Sequence, residues 1–403
     1  FHVYICKITC VYICDMTASF DYNQLLKWHK ENKESSLHDR YITLSRIAPL
    51  FQKLDDRFSF EVIGQSVEHR DIHKITWGKG PLKVLAWSQM HGNESTTTKA
   101  LFDLFRYLSL KNDKNIEALY NALHIVFIPM LNPDGAERFT RLNAVEVDLN
   151  RDAQHLSQPE SRVLRGIFDK FKPKYCFNLH GQRTIFSVGE PAKPATVSFL
   201  SPAEEKKRTV TYSRKAGMAV INAMNSMLQQ FIPGQVGRYD DGFNENCVGD
   251  TFQMMGAHTV LFEAGHYPGD YKRDVTRQYI FLSYVRAFEY LLDEDIKLDG
   301  VDEAYMRIPD NEKKFTDIII RNLKLPKVGV VDVAVQYEEK LVHGEIQFIP
   351  RIHKVADLRY FEGHREVDGK GCKVSKPSDI QWKEGDELNE ITINAEIPTT
   401  FSL

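Results

Sequence analysis

Residues 81–94 read Pro-Leu-Lys-Val-Leu-Ala-Trp-Ser-Gln-Met-His-Gly-Asn-Glu, an apolar run that stops at an imidazole and a carboxylate three positions apart. Its length and composition are those of a strand, and the polar pair falls where that strand opens into a loop. The same shape returns twice. The run YCFNLH ends at His180, and HTVLFE ends at Glu263. Residues 122–130 (ALHIVFIPM) are apolar without interruption, as expected of a strand buried on both faces. Helical patterns separate these runs. Leu101, Leu104, Phe105 and Leu108 fall on one face of a helix after Gly92, and further helices are expected from about Pro159, over about 209–230, and over about 270–292. Strands alternating with helices indicate an α/β sheet covered on both sides.

Outward from this centre, residues 17–57 predict two amphipathic helices. The segments SFEVIGQSV, DIHKITW and PLKVLAW predict strands. From Thr316 onwards the chain alternates in β-branched runs (DIIIRNL, GVVDVAVQY, GEIQFIPRI and a terminal ITINAEI), which predicts a small all-β domain. The expected organisation is therefore an α/β domain over 16–310 and a β-domain over 316–403. Residues 1–15 (FHVYICKITCVYICD) are set aside as a non-native or untranslated leader, with translation expected to begin at Met16.

Composition narrows the function classes. The chain has 403 residues, 42% hydrophobic and 27% charged, with a formal net charge of −3. That balance gives no global attraction to nucleic acid or to an anionic membrane, and no apolar run reaches the roughly 20 residues that span a bilayer. There is no internal repeat and no Gly-x-Ser-x-Gly elbow. Outside the leader, Cys176, Cys247 and Cys372 are scattered and odd in number. They form no disulfide framework, so the expected location is cytoplasmic.

Each chemical motif is weak alone. His91 and Glu94 can reach one ion from one turn, and zinc accepts both nitrogen and carboxylate oxygen. A His-x-x-Glu also arises by chance in a chain with 14 histidines. His180 reads equally well as a buried, hydrogen-bonded histidine. Residues 132–135 (NPDG) read as a turn. Arg138 and Arg141 fit either a solvated face or a carboxylate clamp. Glu263 ends an apolar strand, which is costly unless it lies at a site mouth or is paired.

Taken in order, His-x-x-Glu, NPDG, an arginine, Asp-Leu-Asn-Arg, a later histidine and a strand-end glutamate resemble the zinc metallocarboxypeptidase family over residues 60–292. The resemblance implies a mixed central sheet with helices on both faces. It implies one zinc ion on His91, Glu94 and His180, with Asp148 orienting His91, and Glu263 as general base. It further implies that Arg141 polarises the scissile carbonyl, that Asn150 and Arg151 bind the terminal carboxylate, and that Tyr239 is the counterpart of the family's mobile tyrosine, with Phe243 competing for that loop. Asp250 is placed by spacing near the specificity pocket, favouring a basic or diamino side chain. Asn93 stands where digestive members carry arginine. His-Gly-Asn-Glu is also the form found in aspartoacylases and succinylglutamate desuccinylases, while the NPDG turn is closer to bacterial enzymes acting on cell-wall peptides. The expected activity is metalloprotease hydrolysis of an amide beside a free carboxylate. The substrate is a peptide or, alternatively, an N-acyl amino acid; a metal- or peptide-binding module without catalysis is the third reading. A β-domain closing over the site mouth would favour the deacylase, and an open groove the peptidase.

Overall fold

The computed structural model describes residues 19–293, 297–376, 381–393, 399–401 and 403. The leader and the end of the ITINAEI run lie outside them.

Two short helices come first. Helix α1 (Tyr22–Asn32) is capped by the Asp21 carboxylate, which accepts from the N–H groups of Asn23 and Gln24, and α2 is Leu44–Phe51. The strands of the main sheet are β1 (Phe58–Gln65), β2 (Asp71–Trp77), β3 (Leu82–Ser88), β4 (Leu123–Ile128), β5 (Tyr175–Gly181), β8 (Val197–Leu200), β9 (Val236–Arg238) and β10 (His258–Ala264), with a two-residue hairpin, β6 (Ser187–Val188) and β7 (Lys193–Pro194), between β5 and β8. Their order is β1-β2-β4-β3-β5-β10-β8-β9. Strand β3 runs parallel to β4 and β5, and β5 parallel to β10. The pairs β1/β2, β2/β4 and β10/β8 are antiparallel, so the sheet is mixed.

Period-two alternation divides the central strands between two cores. Val84 and Ala86 of β3 face one side with Phe127, Phe177 and Phe262, and meet helices α3 (Thr96–Leu108), α7 (Tyr212–Leu228) and α9 (Asp274–Tyr290). Leu85 and Trp87 face the other side with Val126 and Ile128, and meet α6 (Pro159–Phe171) and α8 (Val248–Met254) through Leu164, Phe168 and Phe252. Strands buried on both faces need apolar residues at every position, which is why β4, β5 and β10 read as continuous runs. Helix α4 (Lys114–Ala122) leads into β4.

The NPDG segment differs from the turn expected of it. It opens a helix, α5 (Pro133–Arg138), in which Pro133 takes the first helical position and the Asn132 side chain accepts from Gly135 N–H at 2.8 Å. Proline's fixed φ suits that position, and its missing N–H would have been unsatisfied there.

After α10 (Val301–Met306) a separate four-stranded sheet forms, in the order β13 (Glu345–Ala356), β12 (Gly329–Val342), β11 (Phe315–Leu325) and β14 (Glu362–Asp368). Short strands β15 (Val374–Lys376), β16 (Glu390–Ile393) and β17 (Thr399–Thr400) complete this β part, and Ile318, Ile320, Val333, Val335, Ile352 and Ile391 fill its core. It docks on the segment that follows β5. Gln336 Nε2 donates to Thr184 Oγ1 at 2.6 Å, His364 Nε2 to the Thr184 carbonyl at 2.8 Å, and Phe315 N–H to the Ile185 carbonyl at 3.2 Å. Arg40, from the chain's other end, makes a bidentate pair with Glu339 at 2.9 Å per contact.

Candidate active site

The carboxyl ends of β3, β5 and β10 lie side by side, where an open sheet leaves its loops free to converge. Glu263 and His180 are register partners on the parallel strands β10 and β5, so their side chains leave the same face of the sheet. His91 and Glu94 come from the loop between β3 and α3, and a backbone contact fixes that loop. A Cβ on Gly92 would lie 1.9 Å from the carbonyl carbon of Gly135, so the His-Gly-Asn-Glu loop rests directly on the first turn of α5. No side chain fits at that contact.

His91, Glu94 and His180 each offer a ligand atom within 4.8 Å of the others. His91 Nδ1 is 2.9 Å from Glu94 Oε1, His180 Nδ1 is 3.0 Å from Glu94 Oε2, and the two Nδ1 atoms are 3.1 Å apart. On its far side His91 Nε2 meets Asp148 Oδ1 at 3.1 Å, while Arg141 Nη1 approaches His91 Nδ1 at 3.2 Å. Nε2 therefore carries the proton and Nδ1 presents its lone pair inward, the tautomer a metal ligand needs. Two nitrogens, a carboxylate and a fixed tautomer aimed at one point fit zinc.

The surrounding charges follow from this packing. Burial favours the neutral form of Glu94, but His91 and His180 outweigh it and hold the carboxyl well below its usual range. Asp148 behaves likewise, burial being overcome by His91 and Arg141. Glu263 goes the other way. It is 7% exposed, one of its carboxylate oxygens has no partner among the described residues, and burial together with the Glu94 charge raises its pKa far above the ordinary value. Burial also raises Tyr239, helped by Glu263 and Glu94. Asp250 is pushed up to about 6 by burial, against the opposing pull of the Asn244 N–H and Arg151.

His91, Glu94, Arg141, Asn150, Arg151, His180, Tyr239, Asp250 and Glu263 all line one cleft, and Asp148 adjoins it through His91. Arg141 also binds Asp148 Oδ2 through Nε and Nη2, at 3.1 and 3.0 Å. Asn150 and Arg151 occupy a short 3-10 turn, Leu149–Arg151, whose cap is the Asp148 carboxylate, and Val248 N–H holds Asn150 Oδ1 at 3.0 Å. Tyr239 and Asp250 line the cleft wall opposite, where residues 239–242 take part and Phe243 does not. Arg138 is elsewhere, paired with Glu68 on the surface. Gln182 and Arg183 also line the cleft and were not singled out in the sequence, although they follow His180 directly. Among the described residues Cys176, Cys247 and Cys372 are free, and no described helix is long and apolar enough to cross a membrane.

Comparison with known proteins gives the same direction. Residues 45–160 match the zinc carboxypeptidase family. Carboxypeptidase 2 of Trichophyton rubrum is 32% identical over 100 residues, covering 24% of this chain and 18% of that protein. Human carboxypeptidase D is 31% identical over 121 residues, covering 25% of this chain and 9% of its own. The chain spans about a fifth or less of the length of these curated relatives. A solved carboxypeptidase A-type structure from Shewanella denitrificans shares the fold with a TM-score of 0.50 at 16% identity, over 62% of this chain and 69% of that one. The family match holds His91, Glu94, Arg141, Asp148, Asn150 and Arg151, while the mixed sheet brings His180 and Glu263 to them. In its matched segment and in the fold of its α/β part, the chain is zinc metallocarboxypeptidase-like.

Proposed function

We propose that the protein is a zinc metallocarboxypeptidase, a hydrolase that removes the C-terminal residue of a peptide. The carrying observation is the convergence of His91, Glu94 and His180 with Glu263 in register beside them. His91 Nδ1, His180 Nδ1 and the Glu94 carboxylate would hold the ion, which when bound supplies a Lewis acid and a water of lowered pKa.

The chain's own groups account for the remaining chemistry. Asn150 and Arg151 receive the terminal carboxylate, a planar guanidinium being suited to it. Arg141 has an Nη1 directed at the ligand set and donates to the oxygen of the scissile amide as charge builds there. Glu263 takes a proton from the attacking water and passes it to the departing amine, and a carboxylate of raised proton affinity suits both steps. Tyr239 closes the wall beside Glu263, and Asp250 favours a basic released residue.

Asp317, Gln336 and Phe348 of the β part line one flank of the site, whereas small acyl substrates are tied to a β-domain closing over the site mouth. The relatives compared above are carboxypeptidases, and the deacylase alternative is not favoured. Glu263→Gln is expected to retain zinc and to lose turnover by about a thousandfold or more. Zinc content by atomic absorption and release of C-terminal residues by mass spectrometry test this together. Near-normal turnover in a zinc-loaded variant would remove Glu263 from the mechanism.

A further inference from the structure

A chamber of about 320 Å³ lies on the other side of Glu94 from the Asn150/Arg151 pair, between the α/β part and the β-domain. It shares Glu94, Arg141 and residues 181–183 with the cleft, and beyond these Arg40, Arg273, Tyr271, Gln336 and Phe348 wall it. On the function proposed above, a peptide with its terminal carboxylate at Arg151 and its last amide at Arg141 continues past Glu94 into this space.

The unusual group there is Arg273, only 2% exposed at the start of α9. Its Nη2 donates to the Gln182 carbonyl at 3.2 Å, while Nε and Nη1 are buried and have no partner among the described residues. The acids around it are engaged elsewhere. Asp270 accepts the N–H groups of Asp274, Val275 and Thr276. Asp317 accepts from Tyr271 Oη at 3.0 Å and Tyr337 N–H at 2.8 Å, and Glu339 is held by both Nη atoms of Arg40. Arg40 Nε is likewise buried without a partner among the described residues. Burial and the Arg40 charge lower the Arg273 guanidinium to about 10, which leaves it charged at neutral pH.

A buried cation with two idle donors is costly, and a carboxylate entering from the chamber offsets that cost with charge-assisted hydrogen bonds once the Arg273 side chain turns to uncover them. A chamber of this size is at the small end for a ligand pocket and suits one side chain rather than an extended strand. Tyr271 and Phe348 supply apolar walls for the methylenes. We propose that this chamber is an anion subsite on the acyl side of the scissile bond, with Arg273 receiving the carboxylate of an acidic residue placed directly before the one released.

The test uses the zinc-loaded full chain and matched pairs, N-acetyl-Glu-X against N-acetyl-Gln-X, with X as Lys and as Phe. The acidic member is expected to have a kcat/KM about tenfold or more higher, mostly through KM, as one charge-assisted contact provides. Arg273→Gln should bring the ratio to within about twofold, and Arg273→Lys should keep part of it. A wild-type ratio near one, or one unchanged in Arg273→Gln, overturns the subsite and leaves the carboxypeptidase reading standing. If neither member is cleaved with zinc bound, the carboxypeptidase reading fails and takes this inference with it. Should Arg273→Gln not fold, the wild-type ratio and Arg273→Lys still decide: a ratio of one overturns the proposal, and so does full retention in a lysine variant that cannot make a bidentate contact.

Discussion

The Nδ1 atoms of His91 and His180 are 3.1 Å apart, and at that separation two nitrogens are compatible only with a proton or a cation between them. Asp148 removes the freedom to relieve this by tautomer exchange, because it fixes the proton of His91 on Nε2. One carboxylate thus carries three duties: it orients His91, pairs with Arg141, and caps the turn that presents Asn150 and Arg151. Asp148→Asn should weaken zinc binding by about 10–100-fold, the usual effect of losing a partner behind a metal-bound histidine. Competition with a chromophoric chelator measures it; an unchanged zinc affinity would show that Arg141 alone suffices to orient the ring. At this scale the sequence was legible wherever a polar residue closes an apolar strand, as at His180 and Glu263. Arg273 and Arg40 left no such mark, since an arginine becomes exceptional only once the fold has buried it and engaged its neighbours.

Between elements, register and close backbone approach position the site. The pairing of Glu263 with His180 is set by the hydrophobic pattern of β5 and β10, and a slip of one strand by one residue would put the two side chains on opposite faces. The loop after β3 depends instead on contact between Gly92 and Gly135. Gly92→Ala forces two backbones apart and should cost about 2 kcal/mol or more, with weakened zinc binding. Denaturant unfolding of the metal-free protein measures the first effect, and stability within about 0.5 kcal/mol of wild type would show that the loop can yield. Beneath that contact, the Asn132 cap and Pro133 at the first helical position make NPDG a helix start where its letters read as a turn. Proline and glycine signal a chain reversal and a helix cap with the same letters, and only the neighbouring backbone distinguishes them. Helix α9 likewise begins at Asp274 rather than near 270, because the Asp270 carboxylate holds the first N–H groups from outside the helix.

For the molecule as a whole, alternation in the last quarter of the sequence revealed β-structure but not where it docks. The docking contacts join residues far apart in the chain, Arg40 with Glu339 and Thr184 with Gln336, and no local pattern records such pairs. The seam they form is sensitive to pH through His364. Burial brings its pKa down to about 4 from 6.5, with Arg273 adding to the effect and the Thr184 carbonyl opposing it. The folded protein therefore binds fewer protons than the unfolded chain between those values, so this group's contribution is present above about pH 6.5 and is lost as pH falls towards 4. At full effect the slope is about 1.4 kcal/mol per pH unit. Asp250 and Asp317, raised to about 6, act in the opposite sense, so the comparison must be between wild type and His364→Asn at each pH. Wild type should lose melting temperature relative to the variant between pH 6.5 and 4.5; parallel curves would show that the ring charges without strain.

The stretch from Gln182 to Ser187 has a consequence for how such a chain can change over generations. It leaves the strand that carries His180, lines the cleft, and is then stitched to the β part by Thr184 and Ile185 and to Glu312 just before it by Ser187. A module joined only by a linker can be exchanged for another without disturbing its neighbour. Here any replacement would have to supply new partners for a segment two residues from His180, so the two parts are bound to drift together, and substitutions on one side should be answered by substitutions on the other.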